Sequence, residues 1–137
     1  MSKITIWCIK LSMLYFVLGI LLGVSLPFSE EGDANVYNSL VFAHVHLNLL
    51  GWMTMMIYGV GYHILPRFAG KHLRGGRLID VQFYLANAGL LGMVVFNYMK
   101  AKGVMAAAGM LFMASAAAAS LSGILFAGIM FATLKEK

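Results

Sequence analysis

Charged residues are scarce in this chain. Only 11% of its 137 residues are Asp, Glu, Lys or Arg, whereas a soluble domain carries about 25%. Hydrophobic residues make up 61% of the sequence. Four apolar stretches are long enough to cross a bilayer, which takes about 20 residues each. These features predict an integral membrane protein and leave no room for a soluble domain beside the spans.

Cysteine and the residue patterns of common enzymes are also missing. Cys8 is the only cysteine, so the sequence excludes an internal disulfide and a multi-cysteine metal cluster. No catalytic carboxylate pair, nucleophile triad or phosphate-binding loop is present, which argues against enzymes of those classes. The net charge is +5, but no basic patch with interleaved aromatic residues indicates a nucleic-acid partner. Basic residues in short loops are better explained by membrane topology.

The charges predict how the spans are oriented. We expect one membrane domain over residues 1–137, with spans at about residues 4–26, 40–65, 81–98 and 104–134. The first connection carries Glu30, Glu31 and Asp33, whereas the stretch from Arg67 to Arg77 is strongly basic. Positive loops stay on the cytoplasmic side. We therefore predict an all-α four-helix bundle in the inner (cytoplasmic) membrane, with both termini inside.

Small residues predict where the helices pack closely. Gly19 and Gly23 form a GxxxG pattern, which suits a retained helix better than a cleaved signal peptide. The fourth span is rich in alanine, glycine and serine, which allow backbones to approach. We expect it to pack heavily, either within the protomer or against a neighbouring one.

The second span carries three of the four histidines. Imidazoles in hydrocarbon need polar partners. His44 and His46 are about 200° apart around a helix of 3.6 residues per turn, so each needs a partner on its own side. Both lie toward the outer face, and each serves either as a ligand or in a helix–helix hydrogen bond. His63 lies ~25 Å farther along the helix, near the inner face, where an interfacial hydrogen bond is the alternative to metal binding.

The pattern of this span resembles a known family. The residues that carry the resemblance are His44-Val-His46-x-x-x-Leu50-Gly51-Trp52, then Gly59, Tyr62-His63 and Pro66-Arg67. This pattern resembles the tenth transmembrane helix of subunit I in the haem-copper oxidase superfamily. The likeness is strongest to the cbb-type cytochrome oxidases and the nitric oxide reductases. The chain is thereby identified as a four-helix relative of subunit I.

The resemblance implies haem ligation by His44 or His46. In the family the first histidine of this pair ligates the high-spin haem, and the second ligates the low-spin haem on the opposite face. Asn48 could then hydrogen-bond a histidine or a haem propionate, and Trp52 could pack on the porphyrin or against a helix. The family's distal haem ligand, its three further metal-binding histidines and its cross-linked tyrosine have no counterpart here. A complete oxygen- or nitric oxide-reducing site in one chain is therefore not expected, and whether the chain is an enzyme stays open.

Several functions remain open at this point. The first is a b-type haem protein that transfers electrons between its haem and a quinol or cytochrome partner. The second is a haem protein that binds or senses nitric oxide or oxygen. The third is a non-haem assembly or metal-binding subunit. For the haem functions we expect a homo-oligomer, dimer or trimer, that shares the haem, because one chain lacks a second ligand helix.

Overall fold

The computed structural model describes residues 3–30 and 32–135, so Glu31 of the acidic first connection lies outside them. The elements are α1 (Lys3–Ser25), a 3-10 turn (Leu26–Ser29), α2 (Ala34–His46), a π-helical segment (Leu47–Thr54), α3 (Met55–Phe68), α4 (Arg77–Lys102) and α5 (Ala108–Leu134). Among these described residues, four spans are long and apolar enough to cross a membrane: Lys3–Ser29, Ala34–Phe68, Arg77–Lys102 and Ala108–Leu134. The predicted all-α membrane protein is confirmed.

Local sequence explains where the helices begin and end. The Asp33 side chain caps α2 by accepting hydrogen bonds from the backbone amides of Asn35 at 2.8 Å and Val36 at 3.3 Å. Pro66 lies inside α3, which runs on to Phe68 rather than ending at the proline. Proline lacks one amide, and so near the helix end only one ladder bond is affected. Gly103 ends α4 in the left-handed conformation with φ 66°.

The most extensive helix contact joins α4 and α5. At this contact, a Cβ atom on Gly89 would lie only 2.8 Å from the Cα of Ala119 and from the carbonyl oxygen of Ser115. Glycine is therefore what allows the two backbones to approach so closely. The first span packs along the second, and α2 packs on α4. Ser115 and Ala119 of α5 thus make contacts within the protomer. Other residues of the same helix do not: an added Cβ on Gly109 or Gly128 would have no atom within 4 Å, and Ile124 is exposed.

The basic connection lies beside the C-terminal end of α5. The Lys71 ammonium donates hydrogen bonds to the carbonyl oxygens of Leu134 at 2.8 Å and Lys135 at 2.6 Å. The backbone amide of Arg74 donates to the Thr133 hydroxyl at 3.1 Å. Because the spans alternate in direction, the start of α1, the basic connection and the end of α5 share one end of the bundle. The 3-10 turn and the start of α2 form the other.

The core contains polar bonds between spans as well as apolar packing. Cys8, Met55 and Leu90 are almost fully buried at its centre. The Tyr15 hydroxyl of α1 donates to Asn87 Oδ1 of α4 at 2.7 Å. The Tyr62 hydroxyl of α3 donates to Gln82 Oε1 of α4 at 3.2 Å. These bonds pair two hydroxyls and two amide oxygens that would be costly to leave unpaired in a membrane interior. The buried Nε2 atom of Gln82 has no hydrogen-bond partner among the described residues.

Candidate functional site

The histidine pair lies where the helix changes type. The chain is α-helical up to His46 and π-helical from Leu47 to Thr54. The Thr54 hydroxyl donates to the carbonyl oxygen of Leu49, five residues earlier, at 2.8 Å. Short π-helical segments occur often at functional sites. The sequence analysis did not predict this segment, and no residue in it is a recognised signal for π-helix.

His44 points toward α1. Its Nδ1 atom lies 2.8 Å from the carbonyl oxygen of Gly19. The ring lies against Gly23, where an added Cβ atom would be only 2.6 Å from Cε1 of His44. The two glycines of the GxxxG pattern therefore form the surface that receives this ring. They lie in the last two turns of α1, at the bundle end opposite the basic connection.

His46 has different neighbours. Its Nδ1 atom lies 2.9 Å from the carbonyl oxygen of Phe42, one turn earlier in the same helix. The imidazole stacks on the Phe42 ring with the centroids 3.7 Å apart. Phe42 in turn meets Phe112 of α5 edge-on at 5.6 Å. The two imidazoles thus contact different helices, His44 next to α1 and His46 on the side that faces Phe112.

Both rings are oriented in the way that metal-binding histidines usually are. A carbonyl oxygen only accepts a hydrogen bond, so each of these bonds requires the proton on Nδ1 of His44 or His46. The lone pair is then on Nε2, and no described residue hydrogen-bonds that atom in either ring. In metal sites the second ring nitrogen commonly donates to a backbone carbonyl in this manner, which fixes the ring and its tautomer.

Asn48 and Trp52 lie close to α1, whereas His63 lies at the other end of the bundle. Asn48 donates from Nδ2 to the carbonyl oxygen of His44 at 2.8 Å and packs against Gly19. Trp52 packs on Phe16 of α1 with a centroid distance of 4.2 Å, which is a helix contact. His63 lies at the basic end of the bundle, where its ring contacts the Arg67 guanidinium.

A polar cavity lies next to Phe42, at the bundle end that holds His44 and His46. Its volume is about 430 Å³, and it is lined by Asn35, Asn38, Ser39, Phe42, Asn97, Lys100 and Ala101. The buried Ser39 hydroxyl has no hydrogen-bond partner among the described residues. Sequence reasoning did not find this cavity, because its residues come from two separate spans and follow no motif.

Within residues 3–30 and 32–135, the structure does not gather three or more His, Cys, Asp or Glu side chains around one point. His63 is 17 residues beyond His46 in the same span, too far along the helix to share a site with it. A metal bound at His44 and a metal bound at His46 would therefore be two separate sites, and this chain would supply one imidazole to each.

Comparison with known proteins identifies the family. Residues 3–136 match the family described as cytochrome c and quinol oxidase polypeptide I. The chain belongs to this family. This confirms the resemblance to subunit I of the haem-copper oxidases.

One curated relative of this polypeptide I family member is the cbb3-type cytochrome c oxidase subunit CcoN1 of Stutzerimonas stutzeri. The two are 35% identical over 54 residues, which is 39% of this chain and 11% of the relative. The matched stretch thus spans about a tenth of the relative's length. No solved structure gives a significant match.

Proposed function

We propose that this chain binds b-type haem through His46, with His44 as the second candidate ligand. In this proposal it transfers electrons between the haem and a quinol or cytochrome partner in the inner membrane. The observation that carries the proposal is the orientation of the two rings, whose Nδ1 atoms bond backbone carbonyls and whose Nε2 atoms are left for a ligand. Membership of the polypeptide I family makes haem the expected ligand.

His46 is the stronger candidate of the two. The ring of His44 lies against α1, next to Gly23. Among the described residues, the ring of His46 hydrogen-bonds and stacks with Phe42 of its own helix, and Phe42 also lines the polar cavity. A macrocycle could approach His46 without separation of α1 from the second span.

The cavity beside Phe42 fits the polar edge of a haem. Haem carries two propionate groups, which are anionic and need hydrogen-bond donors or a cation. Asn38, Asn97 and Lys100 line the cavity and offer amide donors and one positive charge. The partnerless Ser39 hydroxyl adds a further possible donor. These side chains would hold the propionates.

A bound haem would supply one-electron redox chemistry. The residues of this chain would set the properties of the haem. The Phe42 carbonyl accepts a hydrogen bond from Nδ1–H of His46, which would make Nε2 a stronger electron-pair donor to the iron. The Phe42 and Phe112 rings keep this side of the imidazole apolar. An apolar surround limits solvent access and tunes the redox potential.

The second axial ligand would come from another copy of the chain. His63, the nearest other histidine of the span, lies at the opposite end of the bundle, beside Arg67. A homo-oligomer could place a histidine from each of two protomers on one haem. A two-fold dimer is the commonest arrangement for such sharing, and a trimer is the other candidate.

The proposal also includes the orientation in the membrane. The basic connection around Arg67, Lys71 and Arg74 would face the cytoplasm, with both ends of the chain on that side. His44 and His46 would then lie toward the outer face. Charge asymmetry between the two bundle ends supports this orientation.

An optical spectrum of detergent-purified protein tests the haem proposal. We expect a pyridine haemochrome assay to detect b-type haem, and His46→Ala to remove most of it. His72→Ala, a substitution in the exposed basic connection, is the matched control and should leave the haem content unchanged. Purified protein without haem, or full haem retention in the double variant His44→Ala/His46→Ala, would contradict the proposal.

Carbon monoxide separates the two haem functions. A six-coordinate haem with two histidine ligands should not change its spectrum readily with carbon monoxide. A rapid change would indicate an open axial position and would favour the binding or sensing of a diatomic gas over electron transfer.

A non-haem packing role is the second candidate function, and one observation favours it. His44 makes a hydrogen bond to Gly19 across two spans. Such a bond would account for this histidine without any ligand. A colourless, stably folded protein would support this assembly or packing role.

A further inference from the structure

A second cavity lies at the basic end of the bundle, far from His44 and His46. Its volume is about 240 Å³, and it lies where α3 ends and the basic connection begins. Four of its lining residues carry or can acquire a positive charge, namely His63, Arg67, Lys71 and His72. None of the described residues that line it is acidic.

The cationic groups of this cavity are crowded together. The Arg67 guanidinium contacts both ring nitrogens of His63 and lies 3.2 Å from the His63 carbonyl oxygen. Two groups of this kind repel when both are charged. An anion in the cavity would lie among these groups and would accept hydrogen bonds from Arg67.

Lys71 is held in place before any ligand arrives. Its ammonium donates to the carbonyl oxygens of Leu134 and Lys135 at the C-terminal end of α5. An ammonium has three donors, so one remains for a further acceptor. The positive charge is thus fixed at the cavity wall without the entropy cost of ordering a free lysine.

We propose that this cavity is a binding site for a phosphate group. Arginine presents a planar set of donors that matches phosphate oxygens, and lysine adds a point charge. The site lies at the membrane surface, so the phosphate of an acidic phospholipid is the nearest source. Inorganic phosphate has the same oxygen geometry and is the other source. The site is separate from the proposed haem site and does not depend on it.

Lipid binding to the full chain in uncharged detergent tests the proposal. We expect added phosphatidylglycerol to remain bound in native mass spectrometry, and to raise the unfolding temperature, where phosphatidylcholine does neither. The variant Arg67→Gln should weaken phosphatidylglycerol binding about tenfold, the scale of one lost charge-assisted hydrogen bond. Arg67→Lys should keep part of the affinity, since it keeps the charge but loses the planar donors.

The matched control is Arg77→Gln. It removes the same charge from the same end of the bundle, but Arg77 does not line the cavity. Equal loss of lipid binding in Arg67→Gln and Arg77→Gln would mean diffuse attraction of lipid by the basic surface and would overturn the proposal. Circular dichroism and gel filtration of both variants verify that they fold.

A titration with inorganic phosphate alone separates the two sources. Stabilisation by millimolar phosphate that is lost in Arg67→Gln would support the phosphate site with a soluble ligand. Stabilisation by phosphatidylglycerol alone would support a lipid site. Stabilisation by neither ligand would overturn the proposal.

Discussion

The Nδ1 atom of His44 lies 2.8 Å from the carbonyl oxygen of Gly19, which belongs to the neighbouring span. The same atom of His46 reaches only Phe42, in its own helix, at 2.9 Å. The first bond joins two membrane helices, whereas the second orients a ring within one helix. Two histidines that are alike in the sequence therefore differ in what they do for the fold.

This difference predicts that His44→Ala and His46→Ala rank in one order for stability and in the reverse order for haem content. In haem-free protein, His44→Ala should lower the stability more than His46→Ala, because only His44 bonds and fills space between two spans. Hydrogen bonds between membrane helices contribute about 0.6 kcal/mol on average and up to about 1.7 kcal/mol. Unfolding in a denaturing detergent measures the loss. For haem content we expect the reverse order, and a pair of variants equal in both properties would contradict this assignment.

The GxxxG surface of α1 gives a second prediction. Gly23→Ala places a methyl group against the ring of His44, at 2.6 Å from Cε1 before relaxation. The ring or the helix must shift, and overpacking of this kind costs about 1–3 kcal/mol. Gly128→Ala is the matched control, because an added Cβ at Gly128 has no atom within 4 Å. If both variants unfold at the same temperature, the contact between His44 and Gly23 does not exist in the protein.

Much of this architecture follows from the sequence. Hydropathy is enough to predict four spans, because every apolar stretch has the length that a bilayer requires. The pattern Gly19-x-x-x-Gly23 predicts close packing. The pattern does not identify His44 as the residue that packs on these glycines, because that depends on the position of α2 along the axis of α1. The π-helical segment, which begins at Leu47, was not predicted. Its hydrogen bonds depend on tertiary packing rather than on local propensity.

The two cavities could not be predicted from the sequence, because they also depend on tertiary packing. Each gathers residues that are far apart in the chain, as Asn38 and Asn97 are in the polar cavity. No spacing rule connects such residues. The basic connection was predicted as a topology signal, and the contact of Lys71 with the end of α5 gives it a structural role as well.

A buried hydroxyl gives a third prediction. Tyr15→Phe removes the donor that bonds Asn87 Oδ1 at 2.7 Å between α1 and α4. We expect a loss of about 1 kcal/mol, because the amide oxygen loses its partner in an apolar surround. Tyr84→Phe is the control, since Tyr84 is 65% exposed on α4. Thermal unfolding of both variants in the same detergent measures the difference, and equal unfolding temperatures would show that the bond contributes nothing.

The contact between α4 and α5 predicts the largest effect. Gly89→Ala directs a methyl group at backbone atoms of α5, the Cα of Ala119 and the carbonyl oxygen of Ser115, both 2.8 Å away. A side chain such as His44 can rotate away from an added methyl group, but backbone cannot, so the two helices must separate. We therefore expect a loss at the upper end of the ~1–3 kcal/mol range of overpacked sites. Gly109→Ala is the control on α5: its added Cβ has no atom within 4 Å, and alanine favours helix over glycine by about 1 kcal/mol. Unfolding in a denaturing detergent should rank Gly89→Ala below Gly23→Ala and both below Gly109→Ala. If Gly89→Ala were as stable as Gly109→Ala, the close approach of α4 and α5 would be wrong.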